Sequence, residues 1–457
     1  MKKPSAKKHK LIKIIVSFST IIIITAFCFI IPLRPTVSET EKRELASFPE
    51  FSYTALMSGD YFADISTWFS DTVPFRDTII NINSKIQNFL GTSGTLTGFN
   101  EGIAGDAIPE PVVPNENTTA AIVAESASSE NTAEATSNEA ETVTPENVTY
   151  PADTSEAQNV EEFGGILICD NAAFEYFHFV QDTADNYIKA INTAATRFSD
   201  SSDVFVTIAP SSTDITLNEK VREKISASDQ KNAIDYMLGS TSANVKKFNC
   251  FDNIKQHRNE YVYFRTDHHW TALAAYYAYE VFCQTKGITA LPLSAYEIWS
   301  FDGFLGSFYN DSGSNPALGA TPDRVDAYIP PCKYSMTVTD ENGSTFSKPL
   351  LYDKSNDSPT FKYGTFLSGD NPLSTIQNED KTEGETCLVI KESYGNAFVP
   401  FLVYHYKTVY VIDYRHYKNT LSSFLEENPV DDIIFVNNIS MTRNPSLVQT
   451  LTNFIEG

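Results

Sequence analysis

From residue 161 onward, short apolar runs alternate with longer stretches in which apolar side chains recur every three or four positions. The runs GGILIC (164–169), VFVTIAP (204–210), YVYF (261–264), TCLVIKES (386–393), TVYVID (408–413) and DIIFVNN (432–438) are continuous and rich in β-branched and aromatic residues. Such runs predict strands buried on both faces. The stretches 179–198, 228–239, 271–286, 395–405 and 419–427 carry helical spacing. Strand alternating with helix predicts an α/β domain over 161–457. Its largely parallel sheet would be covered by helices on both faces, with functional residues at the carboxyl ends of the strands.

Ahead of this domain the pattern changes three times. Residues 14–33 (IIVSFSTIIIITAFCFIIPL) are uncharged throughout. A helix of that length spans about 30 Å, the thickness of a bilayer core, so a transmembrane helix is predicted there. The run is longer than a signal-peptide core and no A-x-A site follows it, which favours an uncleaved anchor. Residues 36–103 read as a helical juxtamembrane segment packing on the main domain. Phe62, Ile65 and Phe69, then Ile79, Ile80, Ile82, Ile86 and Phe89, fall at near-helical spacing on either side of Pro74. Residues 104–160 are Ala, Glu, Thr, Ser, Asn and Pro with almost no aromatic side chain, and no Lys or Arg occurs from 86 to 188. Such a segment buries too little apolar surface to offset its ordering entropy, and it is expected to be a disordered acidic linker or insertion.

Charge fixes the orientation of the anchor. The chain has 457 residues, 34 basic and 58 acidic, for a net −24. Residues 1–34 carry Lys2, Lys3, Lys7, Lys8, Lys10, Lys13 and Arg34 and no acid. The basic tail 1–13 is therefore expected in the cytoplasm and the acidic remainder outside. The acidity excludes nucleic acid as a partner, since phosphate binding needs a basic face. Beyond Cys28, the five cysteines are odd in number, widely spaced and without a C-x-x-C, which is neither a disulfide framework nor a zinc site. Buried thiols are expected.

The densest polar cluster is Arg265-Thr266-Asp267-His268-His269-Trp270-Thr271, between YVYF and an apolar helix. Asp-x-His has a mechanism: the carboxylate fixes one ring nitrogen and leaves the other to act as a base. The matching nucleophile candidate is Ser393, where an apolar strand runs into Glu392-Ser393-Tyr394-Gly395-Asn396 and a helix. A strand–turn–helix of this kind exposes a hydroxyl at the sheet's carboxyl edge, beside free backbone N–H groups that suit an oxyanion. Each feature also has a bland reading. A Ser at a strand end is commonly a helix cap, and Thr266 or Asp267 can cap the following helix with Trp270 plugging the core. A metal reading of Asp267-His268-His269 needs three or four converging ligands, and the upstream Asp-rich motifs of DHH phosphoesterases are missing.

TDHHWT (266–271), KESYGNAFVPFL (391–402) and VYVIDYRHY (409–417), with EKRELASFPEFS (41–52) and WFSDTVPFRD (68–77), closely resemble the DHHW family of bacterial surface proteins. That family is similar to the SGNH-hydrolase-like alginate O-acetylation proteins of the AlgX and AlgJ type. The resemblance covers about 36–103 and 161–457 and implies a three-layer α/β/α SGNH-like domain. It also implies Asp267 as orienting carboxylate, His269 as general base and Ser393 as nucleophile, with Arg415, Tyr394 and His268 as candidate substrate contacts. Glu392 stands where relatives usually show Asp. The activity implied is O-acetyl transfer to a cell-surface or secreted polysaccharide. The acyl group would come from an MBOAT-type membrane protein, with no cofactor or metal required. The same machinery with water as acceptor gives an esterase. A non-catalytic surface scaffold or glycan-binding protein is the other class.

Overall fold

The computed structural model describes residues 159–163 and 165–457, residues 105–111, and scattered positions between 34 and 72. The chain divides into two compact units, Met1–Thr92 and Ser93–Gly457. In the first, Val37–Ser38 (β1) pairs antiparallel with Arg43–Glu44 (β2). The Arg34 guanidinium lies 4.0 Å from the centre of the Trp68 ring and donates to Thr72. The expected anchor, 14–33, and most of the helical segment within 36–103 lie outside the described residues. Among the described residues no helix is long and apolar enough to cross a membrane.

The second unit opens with a three-stranded antiparallel sheet, Val160–Phe163 (β3), Ile166–Cys169 (β4) and Ala172–Glu175 (β5). Next come Asp203–Ala209 (β6) and Val245–Lys247 (β7), then an antiparallel ribbon of Glu297–Phe304 (β8) and Asp323–Ile329 (β9). The remaining strands are Tyr334–Thr339 (β10), Thr345–Ser347 (β11), Leu373–Asn378 (β12), Thr386–Lys391 (β13), Thr408–Asp413 (β14) and Asp432–Asn438 (β15). Eight strands form one sheet in the order β11-β10-β12-β14-β13-β15-β6-β7. The five strands from β14 to β7 are mutually parallel, and β12, β10 and β11 extend them as an antiparallel wing.

The protein is thus a mixed α/β fold around one large sheet. Every residue of β15 is buried, as are Cys387–Lys391 of β13, because helices cover both faces of these central strands. Helix Gln181–Phe198 packs against Pro445–Glu456, and helix Ala272–Lys286 against Gly395–Leu402. The free cysteines at 169, 250, 283 and 387 are buried, and Cys332 is half-buried.

Three features depart from the sequence reading. The run GGILIC supplies β4, which belongs to the small antiparallel sheet rather than the parallel one. YVYF is not a strand. Its chain closes on itself through a single bridge between Tyr263 and Trp270, and the Thr271 N–H donates to the Val262 carbonyl at 3.0 Å. The antiparallel wing is also unforeseen, since β10 and β12 are half-buried strands of alternating polarity rather than continuous apolar runs. Within the expected linker, residues 105–111 are described, and the Asp106 N–H donates to the Phe179 carbonyl at 2.8 Å. Asp106 Oδ2 in turn accepts from Gln181 N–H at the start of a helix. The greater part of 104–160 lies outside the described residues.

Candidate active site

β13 delivers Ser393 to the carboxyl edge of the parallel block. Its apolar residues Cys387–Ile390 are buried, and the chain then turns through Glu392-Ser393-Tyr394 into the helix that starts at Gly395. Gly395 is required by the tight approach: a Cβ there would lie 2.5 Å from Cβ of Lys391. Lys391 itself is a buried cation. Its ammonium donates to Asp413 (2.9 Å) and Asp370 (3.1 Å), and Asn396 Nδ2 also donates to Asp370 (2.8 Å). Burial pushes both carboxyls up, but the charges of Lys391 and then Arg415 override it and hold them below the ordinary carboxylate range. Glu392 ties the turn to the end of β15, accepting from the Tyr394 N–H at 2.9 Å and the Asn438 N–H at 2.5 Å. Burial raises the Glu392 pKa against the pull of these two bonds.

The loop carrying Asp267 and His269 is held from a distance. Asp323, at the start of β9 and 1% exposed, accepts from the Thr266 N–H (2.7 Å), the Thr266 hydroxyl (2.6 Å), the Tyr261 hydroxyl (2.6 Å) and Arg265 Nε (3.1 Å). From β5, the Ala173 N–H donates to the Arg265 carbonyl. At the same end of the ribbon, just past β8, the Ser307 N–H donates to Asp267 Oδ2 at 2.8 Å. Gly306 makes this approach possible, because a Cβ at that position would sit 2.1 Å from the Asp267 Cβ.

The two supports meet at one contact. His269 Nδ1 donates to Asp267 Oδ1 at 2.6 Å, and its Nε2 lies 2.7 Å from Ser393 Oγ. The Asp267 carboxylate is buried and the imidazole nearly so, while Ser393 is half-buried. Tyr363 stacks on the His269 ring (centroids 3.9 Å apart, planes 13° apart) and donates its hydroxyl to the Ser393 carbonyl at 3.0 Å. Trp270 is fully buried, and its indole N–H donates to the Tyr394 carbonyl at 2.9 Å, cross-linking loop and turn.

The six residues singled out in the sequence therefore converge, though on unequal terms. Ser393, His268, Tyr394 and Arg415 line a cleft of about 730 Å³. Arg415 is largely committed to Asp413 and Asp370 by bonds of 2.6–2.8 Å, with its side chain 26% exposed. Tyr394 is buried, and its hydroxyl donates to the His268 carbonyl, so it braces the loop from below. The ligand-capable atoms of Asp267, His268 and His269 lie within 4.8 Å of one another. His269 Nδ1 nevertheless points a proton at the carboxylate, and Nε2 faces a hydroxyl. That is the polarity of a proton relay rather than of a coordination sphere. Asp323, Ser307, Gly306 and Tyr363 are absent from the sequence reading, and nothing local to the motif signals them. The Lys391–Asp413 pair had a signal: a lone Lys and a lone Asp close two adjacent apolar strands.

Residues 41–412 match the family model described as DHHW protein. The chain belongs to the DHHW protein family. No curated protein sequence matches it. Among solved structures, a DHHW family protein from Eubacterium siraeum is 26% identical, with a TM-score of 0.59 over 65% of this chain and 98% of that one. Bacillus cereus PatB1, solved with a sulfonyl adduct, is 20% identical, with a TM-score of 0.52 over 64% of this chain and 99% of that one. That likeness is one of fold. The O-acetyltransferase domain of Pseudomonas putida AlgJ also matches, at 14% identity and a TM-score of 0.36, over 63% of this chain and 99% of that one. In this DHHW chain the four residues that name the family differ in place. Asp267 is a buried acceptor, His268 faces the cleft, His269 bridges carboxylate and hydroxyl, and Trp270 plugs the core.

Proposed function

We propose that this DHHW protein is an O-acyltransferase that acetylates a cell-surface or secreted polysaccharide through Ser393, His269 and Asp267. The observation that carries the reading is the continuous chain from carboxylate to imidazole to hydroxyl, at 2.6 and 2.7 Å. His269 Nε2 takes the Ser393 proton as Oγ attacks the acyl carbon, and it returns that proton to the departing donor group. A sugar hydroxyl then gives its proton to His269 and attacks the acyl-serine, and Ser393 recovers its hydrogen. Asp267 keeps Nδ1 protonated and steadies the imidazolium that forms twice per cycle.

The choice of acetyl transfer rests on the resemblance of these motifs to the alginate O-acetylation proteins, as does the three-layer SGNH-like architecture. By the same resemblance an MBOAT-type membrane protein hands over the acyl group. The uncharged run 14–33, behind a basic tail, supports a single-pass anchor with the catalytic unit outside the cell.

The test uses the purified full-length chain with nitrophenyl acetate and a sulfonyl fluoride, the reagent class suggested by the adduct on PatB1. Wild type is expected to hydrolyse the ester and to be labelled at Ser393. Ser393→Ala, His269→Ala and Asp267→Ala should each lose about 10³-fold or more in turnover at unchanged melting temperature. Full turnover in all three variants defeats the reading. A rise in acetylated glycan over free acetate, on adding polysaccharide, distinguishes the transferase from an esterase.

A further inference from the structure

The catalytic cleft contains a second imidazole with the opposite hydrogen-bonding polarity. His268 packs on His269 with ring centroids 3.8 Å apart. Its Nδ1 lies 2.7 Å from Ser307 Oγ, and its own backbone N–H donates to the same oxygen at 3.3 Å. The Ser307 hydroxyl proton then has one acceptor within reach among the described residues, His268 Nδ1. With that hydroxyl donating, the imidazole proton sits on Nε2. Nε2 has no hydrogen-bond partner among the described residues. The ring is 37% exposed and lines the same cleft as Ser393. Its backbone is fixed as well, because Tyr394 donates its hydroxyl to the His268 carbonyl.

Two imidazoles, their planes tilted by 36°, thus adjoin the cleft that holds Ser393. His269 offers a lone pair at Nε2, selected by the carboxylate behind it. His268 offers an N–H at Nε2 when the hydroxyl behind it donates. Enclosure by the cleft wall, then the neighbouring His269, lowers the His268 pKa to about 4 despite the pull of Asp267. The ring therefore stays uncharged at neutral pH. It does not compete with His269 for the serine proton, and it does not repel the imidazolium that forms beside it. An uncharged imidazole N–H is a known way to polarise a carbonyl.

Resting on the acyl-transfer reading, we propose that His268 is a second catalytic residue. Its Nε2–H donates to the carbonyl oxygen of the acyl group that Ser393 takes up, and the bond strengthens as that oxygen becomes an oxyanion. No proton moves. The donor holds charge that develops in the transition state, the kind of contact whose loss costs about 10²–10³-fold in kcat.

The experiment compares His268→Phe, His268→Gln and Ser307→Ala with wild type, using nitrophenyl acetate hydrolysis with kcat and KM resolved. Imidazole ¹⁵N–¹H spectra at neutral pH give a readout independent of activity. His268→Phe should lose about 10²–10³-fold in kcat with KM within about twofold. His268→Gln, whose amide can still donate, should recover at least tenfold of that loss. The spectra should show His268 protonated at Nε2, with mixed tautomers in Ser307→Ala. Unchanged kcat in His268→Phe, equal losses in the Phe and Gln variants, or a proton on Nδ1 in wild type would each overturn the proposal. If Ser393→Ala also keeps full turnover, the acyl-transfer reading itself has failed. If Ser393→Ala is inactive while His268→Phe is not, only the role of His268 has failed.

Discussion

Ser393 and His269 enter the cleft on supports of opposite kind. The Ser393 turn is braced by its immediate surroundings at the sheet edge. Lys391 and Asp413 end adjacent parallel strands, Asp370 and Arg415 close the ion cluster, and Glu392 reaches the end of β15. The His269 loop pairs with no strand of the large sheet, and from the small sheet it receives the Ala173 N–H on the Arg265 carbonyl. Its position comes from Asp323 and Ser307, which lie 57 and 40 residues away from the groups they hold. One support is a buried set of charges made by the fold itself. The other is a set of hydrogen bonds, one of them the Arg265–Asp323 ion pair, from a ribbon that is hydrogen-bonded apart from the large sheet. The first should govern stability and the second should govern alignment.

The largest effect is expected where charge is buried deepest. Lys391 and Asp413 are 1% and 0% exposed, and removing the ammonium leaves Asp413 and Asp370 to share Arg415, against a cost of up to about 3–5 kcal/mol for breaking a buried pair. Lys391→Met should lower the urea midpoint accordingly, with an unchanged m-value. A loss below about 1 kcal/mol would mean that the ion cluster does not hold the turn. The same pair sets an acid limit. Lys391 and Arg415 hold Asp413 and Asp370 below the ordinary carboxylate range, so their contribution is complete above about pH 4 and is lost as pH falls below it. The stability gap between wild type and Lys391→Met should therefore be full near neutrality and close in acid.

The ribbon offers the opposite outcome. Asp323→Asn keeps the shape of the side chain but halves its accepting capacity toward Thr266, Arg265 and Tyr261. Stability should fall by about 1–3 kcal/mol, while ester turnover falls by about 10²-fold in protein that is still fully folded, because His269 is no longer aligned on Ser393. Activity that declines only with the folded fraction would break the comparison and make Asp323 a structural residue alone.

The same contrast explains what the sequence could and could not disclose. Strands β14 and β15 begin and end where their apolar runs do, and β13 carries its run into Ser393, because a strand buried on both faces has no polar interruption. Ser393, Asp267 and His269 were visible as motif residues at the expected edge. YVYF read as a strand because apolarity alone cannot reveal that Asp323 takes the N–H groups of Arg265 and Thr266. Gly306, Ser307 and Tyr363 stayed hidden for the same reason, since each acts only through contacts that close long loops. For Arg415 and Tyr394 the motif gave the place. Asp413, Asp370 and the His268 carbonyl already occupy their polar atoms, which no local pattern signals.

Tyr363 belongs to neither support and touches both, so it gives the finest test. Its ring lies on His269 and its hydroxyl donates to the carbonyl of Ser393. Tyr363→Phe keeps the stacked face and removes one hydrogen bond, at a net cost of about 1 kcal/mol, or roughly fivefold in turnover if all of it reaches the transition state. Tyr363→Ala also removes the face that fixes the imidazole plane, and it should fall well below Tyr363→Phe in kcat at similar KM. If the two variants are equally impaired, the link to the Ser393 carbonyl decides the geometry and loop and turn are one coupled unit. If only the Ala variant is impaired, the His269 loop is aligned by packing and by the ribbon, and the turn beneath Ser393 stands on its own charges.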